Sequence, residues 1–126
     1  MFKTLIVEDN TSYRQLLKEA LHSRFPSMDI SEASDGREAL EKIEPFHPDL
    51  VFMDIKLPEG SGLELTQKIR TRHPDITIII LTAYDIPEYR EAAYRSNANY
   101  FFSKGSATQK DILGLVESVL SDRQRG

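Results

Sequence analysis

The sequence contains no cysteine, which excludes disulfide bonds and metal sites built from thiolates. No apolar run approaches the length that crosses a membrane, and the run near the start is too short for a signal peptide. Basic residues are fewer than acidic ones, 16 against 20, so a basic surface for nucleic acid is not expected. No glycine-rich loop follows the first apolar run, which excludes a dinucleotide-binding motif of the Rossmann type. These absences predict a cytoplasmic protein that contacts no membrane and does not bind nucleic acid directly.

What the sequence does contain is five alternations of an apolar run with a helical pattern, in a chain of 126 residues. The predicted strands are 5–7, 28–33, 50–53, 76–81 and 100–102. Because five such units suit one core, we expect a single domain over residues 1–121, a doubly wound parallel sheet with helices on both faces. Residues 122–126 are polar, and we expect them to form a frayed tail or the start of a linker.

Local signals mark several turns and helix ends. Asn10 or Thr11 is placed to cap the first helix, and Pro87 fits the first turn of the fourth. Asn97 is expected to adopt a left-handed conformation at a helix end, a role that asparagine tolerates. Thr108 with Asp111 resembles a capping box that opens the last helix. A long, tight loop is marked by Pro58, Gly60 and Gly62.

Polar residues follow four of the predicted strands. Glu8 and Asp9 come after the first, Asp54 after the third, Thr82 after the fourth, and Lys104 just past the fifth. Taken singly, each has an ordinary interpretation as a loop acid, a turn acid, a strand threonine or a surface lysine. In a parallel sheet, however, the ends of the strands lie on one edge, where open α/β folds bind ligands. The spacing therefore predicts that these groups converge.

Three carboxylates, a hydroxyl and an ammonium in one place suit a divalent cation and a phosphoryl group. Magnesium prefers oxygen ligands, so Asp9 and Asp54 would bind it directly and Glu8 through a water. A backbone carbonyl just past Asp54 would complete the protein's share of the ligands. A carboxylate can attack an activated phosphorus and form an acyl phosphate. The lysine would then donate a charged hydrogen bond to one phosphoryl oxygen, and Thr82 would donate its hydroxyl to another.

Four stretches of the sequence together resemble the receiver domains of bacterial response regulators, the phospho-accepting half of two-component signalling. They are LIVEDN, PDLVFMDIKLPEGSGLEL, IIILTAY and ANYFFSKG, and the resemblance covers about residues 3–121. It implies a flavodoxin-like fold, with a five-stranded parallel sheet in the order 2-1-3-4-5 and five helices. It also implies that a histidine kinase or a phosphotransfer protein supplies the phosphoryl group, in a reaction that needs Mg²⁺.

The same resemblance implies a role for each of the polar residues. Asp54 is the expected phospho-acceptor, and Thr82 and Lys104 are expected to contact the phosphoryl group. The expected magnesium ligands are Glu8, Asp9, Asp54 and the backbone carbonyl of Lys56. Phe101 matches the aromatic switch position of the family, and we expect its ring to turn inward from the surface when Thr82 moves toward the phosphoryl group. The alternative is that Phe101 is a core ring in both states, because aromatic residues of strands are often buried.

Further expectations concern the lifetime of the phosphoryl group and the output. Lys56 and Tyr84 occupy positions that vary in this family and tune the attack of water, and the bulk of Tyr84 predicts slow loss. The output surface is expected on the fourth helix, the last strand and the last helix, with changes near Tyr89, Tyr94 and Arg95. A second receiver could bind there, so a homodimer after phosphorylation is a prediction.

The chain departs from the family pattern at a few positions and leaves one alternative open. Gly105 stands where proline is usual, Asn97-Ala98 where Gly-Ala is frequent, and Phe101 lacks a hydroxyl. The alternative is a receiver-like interaction module that works without phosphorylation, although such versions usually lose an acid, the threonine or the lysine. A phosphatase with an aspartyl-phosphate intermediate needs an acid two residues after the nucleophile, where this chain has Lys56. We therefore expect a switch and not a turnover enzyme.

Overall fold

The structure is a computed structural model that describes residues 2–125. Its strands are β1 (Lys3–Val7), β2 (Asp29–Ala33), β3 (Leu50–Met53), β4 (Lys56–Leu57), β5 (Gly60–Ser61), β6 (Thr77–Thr82) and β7 (Tyr100–Ser103). Its helices are α1 (Thr11–Arg24), α2 (Gly36–Phe46), α3 (Gly62–Arg72), α4 (Pro87–Arg95) and α5 (Gln109–Arg125). Five strands pair in parallel in the order β2-β1-β3-β6-β7. Without the small pair β4 and β5 this is the order 2-1-3-4-5, so the flavodoxin-like fold is confirmed.

The sheet has a hydrophobic core on each face, because successive side chains of a strand point to opposite sides. In β6, Ile78 and Ile80 belong to the core packed under α2, α3 and α4. Ile79 and Leu81 belong to the other core, which α1 and α5 cover. A strand covered on both faces has no polar side, and this explains why β3 and β6 read as unbroken apolar runs.

The helix ends follow the signals in the sequence. The side chain of Asn10 accepts a hydrogen bond from the backbone of Tyr13 at 2.9 Å, so Asn10 and not Thr11 caps α1. Thr108 and Asp111 bond reciprocally at the start of α5, with distances of 2.9 and 3.0 Å. Asn97 has a φ of 70°, the left-handed conformation expected of it. A cap at a helix start, such as Asn10 or Thr108, contributes about 1 kcal/mol. These residues therefore fix where the helices begin and end.

The structure differs from the sequence-based expectation in two segments. The loop after β3 contains the antiparallel pair β4–β5, turned by Glu59 at a φ of 61°. The residues expected to fray after 121 instead continue α5 as far as Arg125, and Gly126 lies outside the described residues. Arg123 explains part of this continuation, because its guanidinium bonds to the carbonyl of Asp75 and lies 3.5 Å from the carboxylate of Asp49.

Within residues 2–125, no helix is both long enough and apolar enough to cross a lipid bilayer.

Candidate functional site

Polar residues from four strands meet at the carboxyl edge of the sheet. The backbone pairing of the strands extends past their ends, which fixes the position of each polar residue. The backbone N–H of Glu8 donates to Ala33 at 3.0 Å, and that of Asp54 donates to Val7 at 3.1 Å. On the other side, the N–H of Lys104 donates to the carbonyl of Thr82 at 2.7 Å. The sheet therefore holds these residues through its backbone, independently of their side chains.

The ammonium of Lys104 lies between two of the acids. Its Nζ is 2.5 Å from Oε1 of Glu8 and 3.2 Å from Oδ2 of Asp54. The same Nζ sits 4.3 Å from the ring centre of Tyr13, which lies in the first turn of α1. This contact with Lys104 was not predicted, because Tyr13 reads in the sequence as one apolar position of an ordinary amphipathic helix. Lys104 thus neutralises part of the negative charge at the strand ends.

The three carboxylates form a cluster that suits a hard cation. Glu8, Asp9 and Asp54 each offer an oxygen, and these oxygens lie within 4.8 Å of one another. Glu8 and Asp54 are only 3% and 7% exposed, whereas Asp9 faces solvent. Oxygen donors of this kind are what Mg²⁺ prefers, and the exposed acid leaves a path by which an ion can enter. The donor set therefore fits the metal that the resemblance implied.

The pKa values at the site reflect crowded charges with little access to water. Burial raises the pKa of Glu8 to about 7, and the charge of Asp54 adds to this effect, against the hydrogen bond from Lys104. Burial on its own would lower the pKa of Lys104, but Glu8 and Asp54 outweigh it and the net shift is upward. The ammonium therefore stays charged, and the acids carry an excess of negative charge that a cation would relieve.

Asp54 is held in place by the start of α3. Its Oδ1 accepts a hydrogen bond from the N–H of Ile55 at 2.8 Å, and the N–H of Gly62 donates to the carbonyl of Ile55 at 2.8 Å. A Cβ at Gly62 would lie 1.8 Å from the carbonyl oxygen of Asp54, so only glycine fits there. In the sequence, Gly62 was expected only to mark a loop. Its place at the first position of a helix, where glycine is a poor helix former, was the available signal.

Thr82 is completely buried at the end of β6. Its Oγ1 accepts a hydrogen bond from the N–H of Tyr84 at 3.3 Å, which leaves the hydroxyl hydrogen free for another acceptor. Phe101 is 6% exposed, and the guanidinium carbon of Arg90 lies 4.6 Å from its ring centre. The ring is therefore inside in this structure, which agrees with the alternative of a core ring and not with the expected position at the surface.

The two residues expected to control the lifetime of the phosphoryl group are in contact with each other. Lys56 opens β4, where it pairs with Ser61 in the strand register. Its Nζ lies 5.3 Å from the ring centre of Tyr84 and 5.5 Å from that of Tyr89. Lys56 and Tyr84 are exposed, outside the buried Asp54 and Thr82 that precede each of them by two residues. No signal in the sequence indicated that Tyr89 would join the contact between Lys56 and Tyr84.

Comparison with known proteins places this arrangement in a family. Residues 4–117 match the family model of the response regulator receiver domain. The chain is 27% identical over 122 residues to the transcriptional regulatory protein DegU of Brevibacillus brevis, covering 97% of this chain and 50% of DegU. It is 33% identical over 118 residues to the oxygen regulatory protein NreC of Staphylococcus carnosus, covering 93% of this chain and 54% of NreC. The chain thus spans about half the length of these curated relatives.

A solved structure shows the same similarity over the whole fold. A CheY-like response regulator receiver domain protein from Methanospirillum hungatei JF-1 superimposes with a TM-score of 0.88 at 28% sequence identity. The match covers 100% of this chain and 99% of the other. With the acids, the threonine and the lysine meeting at the sheet edge, the chain belongs to the response regulator receiver domain family.

Proposed function

We propose that this chain is a phosphorylation-controlled switch that accepts a phosphoryl group on Asp54 from a histidine kinase or a phosphotransfer protein. The observation that carries the proposal is the position of Lys104, 3.2 Å from Oδ2 of Asp54 and 2.5 Å from Oε1 of Glu8. A cation held against a buried carboxylate next to two further acids is the charge arrangement that phosphoryl transfer needs. The family match over residues 4–117 supports the same function.

In the proposed reaction, a carboxylate oxygen of Asp54 attacks the phosphorus as the phosphorus–nitrogen bond of the donor breaks, giving an acyl phosphate. Mg²⁺, held by Glu8, Asp9, Asp54 and the carbonyl of Lys56, would supply charge neutralisation for the transferring group. Lys104 donates from its ammonium to a phosphoryl oxygen, in place of its present bond to Asp54. Thr82 donates its free hydroxyl hydrogen to another.

The assignment is tested by labelling with a small phosphodonor. Wild-type protein incubated with Mg²⁺ and acetyl phosphate is expected to gain the mass of one phosphoryl group, mapped to Asp54. The Asp54→Asn variant is expected to gain none. A stable adduct on a serine, or labelling that persists in the variant, contradicts the proposal. The receiver-like module that works without phosphorylation predicts no adduct in either protein.

The phosphoryl group is proposed to leave slowly by hydrolysis, so the chain does not turn over an external substrate. The bulk of Tyr84 near the acceptor is expected to hinder the in-line approach of water. The Tyr84→Ala variant is therefore expected to lose its phosphoryl group faster than the wild type, as followed by intact mass after the donor is removed. An unchanged rate would mean that Tyr84 plays no part in the protection.

The output surface is proposed to be the face formed by α4, β7 and α5, with Thr82 and Phe101 as the switch residues. Tyr94 and Tyr100 are exposed on α4 and β7, at 48% and 39%, so aromatic surface is available for a second copy of the chain. Because Phe101 is already buried, we expect the change in the ring to be a shift within the core. Light scattering with and without beryllofluoride, a phosphoryl mimic, tests for the dimer, and a monomer in both states contradicts it.

The domain boundary at residue 121 stays a prediction.

A further inference from the structure

Two loops that leave neighbouring strands are joined by their side chains on the solvent side of the phospho-acceptor. Asp54 follows β3 and Thr82 ends β6, and these strands are paired in the sheet. The loop after β3 carries Lys56, and the loop after β6 carries Tyr84. The ammonium of Lys56 lies 5.3 Å from the ring centre of Tyr84, within the range of a cation–π contact. This contact links the side chains of the two loops.

A third residue anchors the contact to a rigid element. Tyr89 lies in the first turns of α4 and is half-buried, packed against the core under that helix. Its ring meets the ring of Tyr84 edge to face, with centres 6.1 Å apart and planes at 83°. Its ring centre is also 5.5 Å from the ammonium of Lys56.

The contact between Lys56, Tyr84 and Tyr89 is connected to Thr82, one of the residues proposed to contact the phosphoryl group. The N–H of Tyr84 donates to Oγ1 of the buried Thr82 at 3.3 Å, so the loop that carries Tyr84 has its origin fixed. Exposed side chains such as Lys56 and Tyr84 lose rotamer freedom when they are held in one place, which disfavours an isolated pair. The ring of Tyr89 contacts both side chains and offsets this loss of rotamer freedom, because its packing against the core already orders it.

We propose that Tyr89 is a positioning residue for the lifetime of the phosphorylated state, holding Tyr84 and Lys56 together as a lid over Asp54. The proposal rests on the proposed function, because the lid protects an acyl phosphate. In the step that it slows, a water oxygen attacks the phosphorus and the bond from phosphorus to the Asp54 oxygen breaks. The products are inorganic phosphate, the free carboxylate and a proton. The lid hinders this step by covering the line along which the water approaches.

The test compares the decay of the phosphorylated protein in matched variants. Protein labelled with acetyl phosphate and Mg²⁺ is desalted, and the loss of the phosphoryl group is followed by intact mass. Tyr89→Leu keeps apolar bulk against the core but removes the ring, and it is expected to raise the decay rate about twofold to tenfold, the range of one aromatic pair contact. Tyr89→Phe keeps the ring that meets Tyr84, and it is expected to decay at close to the wild-type rate.

A second pair of variants tests whether the residues act as one unit. Lys56→Met keeps the backbone carbonyl and the length of the side chain but removes the charge, and it is also expected to speed decay. Because either change opens the same lid, the double variant with Tyr89→Leu is expected to decay no faster than the faster single variant. Rates that multiply in the double variant, or a Tyr89→Leu variant that decays like the wild type, overturn the lid.

The failure of the lid and the failure of the proposed function give different results. If the wild type labels on Asp54 and all variants decay at its rate, the lid is wrong and the function stands. If the wild type takes up no phosphoryl group on Asp54, the function is wrong and the lid falls with it. Should Tyr89→Leu fail to fold, the rate of Lys56→Met decides alone, and an unchanged rate overturns the lid.

Discussion

Lys104 is the residue on which the balance of charge at the site depends. Glu8 and Asp54 are almost fully buried, and this ammonium is within 3.2 Å of both. The sequence predicted that the lysine would reach the site, since it follows β7 at the same edge of the sheet. It did not predict the contact with Glu8, because which of several acids a flexible lysine selects depends on side-chain packing.

Replacing Lys104 with methionine is expected to destabilise the metal-free protein by about 1–3 kcal/mol, the cost of leaving buried polar groups without their partner. Mg²⁺ is expected to restore part of this loss, because it neutralises the same carboxylates. Urea unfolding with and without Mg²⁺ measures both effects. Lys110→Met, an exposed lysine in the first turn of α5, is the control and is expected to change little. Equal stability of the Lys104→Met variant and the wild type without Mg²⁺ contradicts the prediction.

A second prediction at the scale of single residues concerns Gly62. Because a Cβ there would lie 1.8 Å from the carbonyl oxygen of Asp54, Gly62→Ala forces the backbone apart. We expect a loss of about 1–3 kcal/mol of unfolding free energy, together with weaker Mg²⁺ binding. Gly114→Ala in α5, where a Cβ meets nothing within 4 Å, is the matched control and is expected to stabilise the protein by about 0.5–1 kcal/mol. If both variants change the free energy of unfolding in the same direction, the close approach at Gly62 does not determine the effect of the substitution.

At the scale of elements, the strands and helices followed from apolar runs, caps and breakers, because each of these acts on residues close in sequence. Asn97, Pro87 and the Thr108–Asp111 pair all lie where the local rules put them. The far end of α5 did not follow, since it depends on a contact between distant segments. The β4–β5 pair did not follow either, although its residues are close in sequence, because Pro58, Gly60 and Gly62 mark a loop without specifying the pairing of Lys56 with Ser61. The contact of Arg123 with Asp49 joins residues 74 positions apart (123 − 49), which no local pattern can register.

Arg70 provides a prediction about how elements are joined. Its guanidinium donates from the end of α3 to the carbonyl of Asn97 at 3.0 Å, to that of Pro74 at 2.9 Å and to Oδ1 of Asn99 at 2.6 Å. It thereby links α3 to the segments before β6 and β7. Lysine keeps the charge but cannot reproduce the planar fork, so Arg70→Lys is expected to cost about 1–3 kcal/mol.

Thermal or urea unfolding of the Arg70→Lys variant measures this loss. Arg72→Lys is the matched control, because Arg72 is two residues away, highly exposed, and 3.7 Å from its partner Glu44. A surface pair of this kind contributes little, so the control is expected to match the wild type within about 0.5 kcal/mol. Equal losses in both variants would mean that the hydrogen bonds from Arg70 do not join the elements.

At the scale of the whole molecule, the parallel sheet brings together residues that are far apart in the sequence. Glu8 and Lys104 are 96 positions apart in sequence (104 − 8), yet their side chains are 2.5 Å apart. This meeting was predictable, because parallel strands place all their carboxyl ends on one edge. Lys56 and Tyr84 were expected near the phosphoryl group, but their contact with Tyr89 was not predictable, because the strand order does not determine the paths of the two loops and of the start of α4.

The stability of the whole fold should respond to the metal, since the three carboxylates repel one another in its absence. A ligand that binds the folded state stabilises it by RT ln(1 + [L]/Kd), about 1.4 kcal/mol when Mg²⁺ is at about ten times Kd. We therefore expect the melting temperature to rise by several degrees as Mg²⁺ is added, and to fall again with EDTA.

Asp9→Asn distinguishes binding at the cluster from general screening by salt. Asp9 is the exposed member of the three acids, so its replacement leaves the buried pair with Lys104 in place. The variant is expected to be slightly more stable than the wild type without metal, because one like charge is gone, and to gain much less from Mg²⁺. Glu91→Gln, an exposed acid on α4, is expected to gain as much as the wild type. If Mg²⁺ raises the melting temperature of Asp9→Asn and the wild type equally, the ion acts by screening and the carboxylate cluster is not its site.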